Sequence, residues 1–190
     1  LRALVASGLG TQALALELAR NAFYINLAVV GLALAALMSM MGVVDLTNHY
    51  VVTHTSADLP IFFRLTAAWA GSSGSLLFWY FLLALFSAIV VYQTRERLFN
   101  RLPVLFLSLG LLQLLFVLLT LFFKDAQPFR AYPVELAAGR GLNPLLLHWA
   151  MIIHPPILYV GYVSFAIPFA IAASAVIARN LRDDWLPLMR

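Results

Sequence analysis

The sequence predicts an all-α, polytopic transmembrane helix bundle of about four spanning helices, with interfacial helices in its outer loops. Three observations predict it. Of 190 residues, 63% are hydrophobic and only 11% are charged, the mean hydropathy is +0.93, and the charges fall between long apolar runs. Soluble domains carry roughly 45–50% apolar and about 25% charged residues, so the chain is an integral membrane protein. It has no cysteine, which excludes disulfide frameworks, cysteine-ligated zinc or iron–sulfur sites, thiol nucleophiles and a CxxCH attachment site within this sequence. The net charge of +4 rests on 12 basic residues; their placement reads as membrane topology rather than as a nucleic-acid surface.

A spanning helix needs about 20 mostly apolar residues. Ala22 to Val44 meets this with no charge, and Ser75 to Tyr92 is uncharged and slightly short. Pro103 to Phe123 is almost purely Leu and Phe, and Ile157 to Ala178 starts directly after His154-Pro155-Pro156. Residues 1–20 are amphipathic at best, with Leu14, Leu16 and Leu18 near Glu17 and Arg20, and read as an interfacial helix or the tail of a longer one. A start at Leu1 rather than Met, with no recognisable leader, reads as a fragment or a split subunit of one membrane domain, residues 1–190. The short link with Arg95, Arg97 and Arg101, the tail with Arg179, Arg182 and Arg190, and the start with Arg2 and Arg20 are expected on the cytoplasmic side. The longer loops 45–74 and 124–156, which carry Asp45, Asp58, Asp125 and Glu135, then face outward with all four histidines in them or at their edges.

Small-residue stripes at four-residue spacing, Gly31-Ala35-Ser39 and Ala166-Ala170-Ser174, suit close helix packing in lipid and are assigned no chemistry. The run Trp69-Ala70-Gly71-Ser72-Ser73-Gly74-Ser75 through Trp79 reads either as a polar-group-holding turn or as an aromatic-belt turn with Ser72 or Ser73 as N-cap. The apolar stretch between Pro144 and Pro155 is too short to span and fits an interfacial helix. Pro155 and Pro156 are expected to stop it and start the next helix, placing His154 at a fixed corner ahead of Tyr159 and Tyr162. An imidazole there suits ligation of a metal or haem iron, and equally suits a capping or interfacial role. His148 and His154 are six residues apart and form no i,i+4 pair; His49 and His54 lie in a segment expected to be extended or irregular and lack a metal-box spacing. No catalytic triad, phosphate loop or charged residue occurs within the predicted spans, which counts against a self-contained transporter.

The order of motifs is more specific than any one of them. His54-Thr55-Ser56, Leu59-Pro60 and Arg64-Leu65-Thr66-Ala67-Ala68-Trp69 lead into Trp69-Ala70-Gly71-Ser72-Ser73-Gly74-Ser75-Leu76-Leu77-Phe78-Trp79. Gly139-Arg140-Gly141-Leu142-Asn143-Pro144-Leu145-Leu146 and His154-Pro155-Pro156-Ile157-Leu158-Tyr159-Val160-Gly161-Tyr162-Val163 follow. Over nearly its whole length the chain resembles the CcmF/NrfE family of cytochrome c maturation proteins, the haem lyase subunits of system I. The resemblance implies a bacterial inner-membrane protein, or one of an organellar inner membrane, with both seen ends cytoplasmic and periplasmic histidine-bearing loops. It implies that His154 is an axial ligand to haem b, handled as substrate and held for attachment to apocytochrome c. Tyr159, Arg140, Trp69 and Trp79 are the further candidate cofactor-binding residues, Arg140 on the ground that its charge complements haem propionates.

The expected partners are the remaining helices of the haem lyase, the haem chaperone, apocytochrome c, thiol-reductase components and membrane lipid. The family's tryptophan-rich W-W-D segment, its second outer axial histidine and its internal b-haem histidines have no counterpart here, so this part resembles an N-terminal third that does not complete a haem site alone. Ser72-Ser73 also stands where relatives often carry His or Gln and Glu. A purely structural transmembrane subunit is the alternative reading.

Overall fold

The computed structural model describes residues 9–94, 102–133 and 136–179, and it is an all-α bundle. The first element, α1 (Leu9–Val43), is one unbroken 35-residue helix, about 52 Å long at 1.5 Å per residue. The described part of the amphipathic segment expected to lie apart, residues 9–20, therefore continues directly into the first span. No Pro or Gly pair interrupts it, and Leu16 and Phe23 are buried against Leu102, Leu105 and Phe106, which extends the packed stripe back to the helix's early turns. Its end is sharp. Val44 takes a left-handed φ of 58°, its N–H donates to the Met41 carbonyl, and the Asp45 N–H donates to the Met40 carbonyl at 2.9 Å. This is the bond pattern that Gly usually supplies at a helix C-terminus. The Arg64 guanidinium donates to the Gly42 carbonyl at 2.9 Å, placing a cation at the negative end of the helix dipole.

Two short helices follow, α2 (His49–His54) and α3 (Ile61–Thr66), then a 3-10 turn, Ala67–Trp69. The second span is α4 (Ser72–Gln93), the third α5 (Leu102–Phe122) and the last α6 (Ala150–Ile177). All four long helices are long and apolar enough to cross a membrane. Of α4's spanning window 56% is buried, against 22% for α1, 28% for α5 and 33% for α6, so α4 is the hub on which the other three pack. The apolar run places the start of the second span at Ser75; the structure starts it at Ser72 because Gly71, in an extended conformation, is the N-cap rather than either serine.

The segment 144–155 is not a separate interfacial helix. It holds only a 3-10 turn, Pro144–Leu146, before α6 begins at Ala150 and runs through Pro155, Pro156 and Pro168 without a break. His154 is thus one turn inside a helix, not at a corner. Both long loops lie at one end of the bundle and are bonded together there: the His49 N–H donates to the Arg130 carbonyl, Tyr132 to Thr47, Arg140 to Val52 and Gly141 to Thr55. The arginines of the 95–101 link, and Arg2, Arg182, Arg190 and Glu135, lie outside the described residues. Of the two small-residue stripes, Ala170 and Ser174 are buried on α6, whereas Ala35 and Ser39 on α1 face outward, because α1 buries the neighbouring Val30-Leu34-Leu37-Met41 face instead.

Candidate functional site

The loop end is built on Asn48 and Tyr50. Asn48 is the N-cap of α2: its side-chain oxygen accepts from the Tyr50 and Val51 N–H groups, and its Nδ2 donates to the Pro128 carbonyl of the other long loop at 3.0 Å. The segment expected to be irregular is helical for this reason. Buried Tyr50 then donates its hydroxyl proton to the Ala67 carbonyl at 2.9 Å and accepts from the Gly71 N–H at 2.9 Å. Burial pushes the phenol pKa well up, so it remains a neutral double-duty hydrogen-bonding group.

The glycines of the Trp69–Trp79 motif serve this packing rather than a flexible turn. A Cβ on Gly71 would strike the His54 ring, and one on Gly74 would strike the Ala68 carbonyl and the Tyr50 hydroxyl. His54 stacks on Tyr50 at 4.2 Å between ring centroids, with its Nδ1 3.0 Å from the Tyr50 carbonyl. Burial lowers its pKa, partly opposed by that carbonyl. His49 is also lowered, first by burial and then by Arg130 and Arg140. Gly139 lies against the Thr55 carbonyl, and Gly141 has a φ of +79°, so the Gly-Arg-Gly run is clamped onto α2 with the Arg140 side chain exposed.

Of the five candidate cofactor-binding residues, His154 and Tyr159 lie on α6 and Trp69 and Trp79 meet it, whereas Arg140 is held on α2. In an α-helix the Met151 carbonyl would accept from residue 155, which is Pro and has no N–H. The Trp69 indole N–H donates to that carbonyl instead, at 3.0 Å, and ties the 3-10 turn to the turn that carries His154. Trp69 leans on Phe78, and Phe78 on Tyr159. Trp79 meets Tyr159, Tyr162 and Phe116 at 5.4–5.8 Å, so it lies within the bundle, two turns below the boundary position its motif suggests. His154 is exposed, and the positions that follow it on the same helical face, Ile157 and Leu158, are exposed as well. A Cβ on Gly161, one further turn along, would meet no atom. The result is a single imidazole at the head of an open apolar stripe. His148 does something different: its Nδ1 accepts from the Ala150 N–H at 3.2 Å, capping the start of α6. Among the described residues no three His, Asp or Glu side chains converge as for a metal ion.

One arrangement escaped the sequence reading. At mid-bundle the Tyr80 hydroxyl donates to Asn26 Oδ1 at 2.7 Å, and Asn26 Nδ2 donates to Gln113 Oε1 at 2.7 Å. The signal was present in Asn26 and Gln113, carboxamides placed in otherwise apolar spans, which need partners in lipid.

The family profile described as Cytochrome C assembly protein matches residues 69–189. The chain is 35% identical over 171 residues to a cytochrome c-type biogenesis protein CcmF of Haemophilus influenzae, covering 90% of this chain and 26% of that relative. It is 41% identical over 152 residues to a cytochrome c-type biogenesis protein NrfE of the same organism, covering 77% and 23%. The cytochrome c-type biogenesis protein CcmF of Escherichia coli is 35% identical over 160 residues, covering 83% and 24%. The chain spans about a quarter of the length of these relatives. No solved structure matches it.

Proposed function

Since this chain belongs to the cytochrome c assembly protein family, among CcmF- and NrfE-type relatives, we propose that it forms the part of a haem lyase that holds haem b, as substrate, at the periplasmic face for attachment to apocytochrome c. The observation that carries the proposal is His154: an exposed imidazole in the His-Pro-Pro motif, at the loop end of the bundle, with the open stripe Ile157-Leu158-Gly161 beside it. A porphyrin needs an axial nitrogen and apolar surface to lie against, and this face offers both. When bound, haem supplies the vinyl groups for thioether formation; this chain's residues bind and orient it.

His154 is the axial ligand in this reading. Trp69 and Tyr159 act through α6, the first by holding the Met151 carbonyl and the second by packing α6 on Phe78 and Trp79. Arg140, exposed in its clamped loop, is the propionate contact. Haem reaches the site from a haem chaperone, a thiol reductase keeps the apocytochrome reduced, and further haem-lyase helices complete the site in the bacterial inner membrane.

The test is the absorption spectrum of the membrane-purified complex coexpressed with the haem chaperone, wild type against His154→Ala. Loss of the Soret band and of holocytochrome c, with unchanged amounts of protein in the membrane, is the expected result; an unchanged spectrum with normal maturation would leave the chain a structural subunit. Arg140→Ala is expected to lower haem retention, and unaltered retention would remove Arg140 from the site.

A further inference from the structure

α1 packs chiefly on α4, and α5 on α6 and α4, so α1 and α5 touch only narrowly. Between them, over the half of the bundle farther from the histidine loops, runs a cleft of about 870 Å³. Its walls are the early turns of both helices, from Gln12 to Asn26 on α1 and from Pro103 to Leu114 on α5, with Tyr80 of α4 behind. Fourteen residue steps of α1 make it about 21 Å long. Ala15, Ala19, Ala22 and Gly110 line it, and a Cβ on Gly110 would meet nothing within 4 Å.

The cleft carries one unmet chemical demand. The Tyr80–Asn26–Gln113 chain ends on Gln113, a residue only 6% exposed on the cleft wall, whose Nε2 is buried without a hydrogen-bond partner among the described residues. A buried donor left unpaired costs about 1–3 kcal/mol, and at mid-bundle there is no bulk water to offset it. The network is polarised toward this end: the hydroxyl donates to one carboxamide and that carboxamide to the next, so the group still required is an oxygen acceptor.

We propose that this cleft is the seat of a further transmembrane helix of the haem-lyase assembly, and that this helix presents an oxygen acceptor on a neutral polar side chain to Gln113. Three features favour a helix over a small lipophile. The cleft follows two helix axes for several turns; small residues in it let another backbone come close, as in lipid-embedded helix pairs; and one polar contact amid apolar surface is how such pairs are registered. The chain covers about a quarter of the matched relatives' length, so assemblies of this kind have further sequence from which such a helix can come. The inference is independent of haem ligation by His154, at the opposite end of the bundle.

The test places a photo-crosslinking benzoylphenylalanine at Leu107, or separately at Ala15, in the whole assembly in native membranes. The expected adduct joins each position to a peptide from one transmembrane helix of the same assembly lying outside these 190 residues. Gly110→Leu, whose Cβ meets no atom within 4 Å and whose side chain extends into the cleft space, lowers that adduct several-fold while the protein remains in the membrane in normal amount. Adducts formed only with phospholipid or a small lipophile, adducts from the two walls to unrelated partners, or a yield indifferent to Gly110→Leu would each overturn the proposal.

Discussion

The two ends of this bundle differ in how their chief polar side chains are matched, although Thr55 Oγ1 and Arg64 Nε at the loop end also lack a partner among the described residues. At the loop end the polar groups that pin the structure are matched inside the chain: Asn48 serves two N–H groups and a distant carbonyl, Tyr50 both donates and accepts, and Trp69 satisfies a carbonyl freed by Pro155. Toward the other end Tyr80, Asn26 and Gln113 form a chain whose last amide nitrogen has no partner. Gly71 and Gly74 in the clamp are pressed against neighbours, whereas Gly110 on the cleft wall, like Gly161 beside His154, faces open space. The loop end is a clamp that presents His154, and the far end leaves an open cleft with an unpaired amide on its wall.

The largest effect that would break this comparison is at the glycines. Gly74→Ala should destabilise the protein by about 3 kcal/mol or more, the upper end for overpacking, because the carbonyl and phenol it meets are both fixed. Gly110→Ala should stabilise it by about 0.5–1 kcal/mol through helix propensity; thermal unfolding of both purified variants checks the opposite signs. Tyr50→Phe comes next, with a loss of about 1–3 kcal/mol from the orphaned Gly71 N–H, read from the same melts.

Trp69→Phe should cost about 1 kcal/mol for its single hydrogen bond. That cost should shrink when Pro155→Ala restores a backbone donor to Met151, a coupling visible in a double-mutant cycle; additive effects would show that the indole does not replace the missing N–H. The smallest effect is a pH slope. The His54 pKa is lowered in the fold by burial, so the unfolded chain binds the proton more readily. Stability is then full above the ordinary histidine value near 6.5, and falls as pH drops from there toward the folded pKa. His54→Phe should flatten that part of the melting-temperature profile, since the stacked ring stays and the titration goes.

Much of this was legible in the residues. Hydropathy alone separates the spans, because an apolar run of about 20 residues has few other stable homes, and the glycine and His-Pro-Pro motifs marked the segments that meet at the loop end. The helix ends were less legible. Pro155 and Pro156 carry a strong local stop signal, yet α6 runs through them, because Trp69, 82 positions away, takes over the Met151 carbonyl. The same holds for α2, whose Asn48 cap is local but whose anchorage to Pro128 is not.

What the sequence by itself determined is therefore the set of helices and the chemistry of the side chains they carry, since both follow from transfer of residues out of water and from local backbone demand. What only the tertiary structure decided is which polar groups are satisfied. That depends on donors and acceptors far apart in the chain meeting within about 3 Å, and it is why Tyr50 and Trp69 emerged as braces, His154 as an exposed imidazole, and Gln113 as an amide without a partner among the described residues.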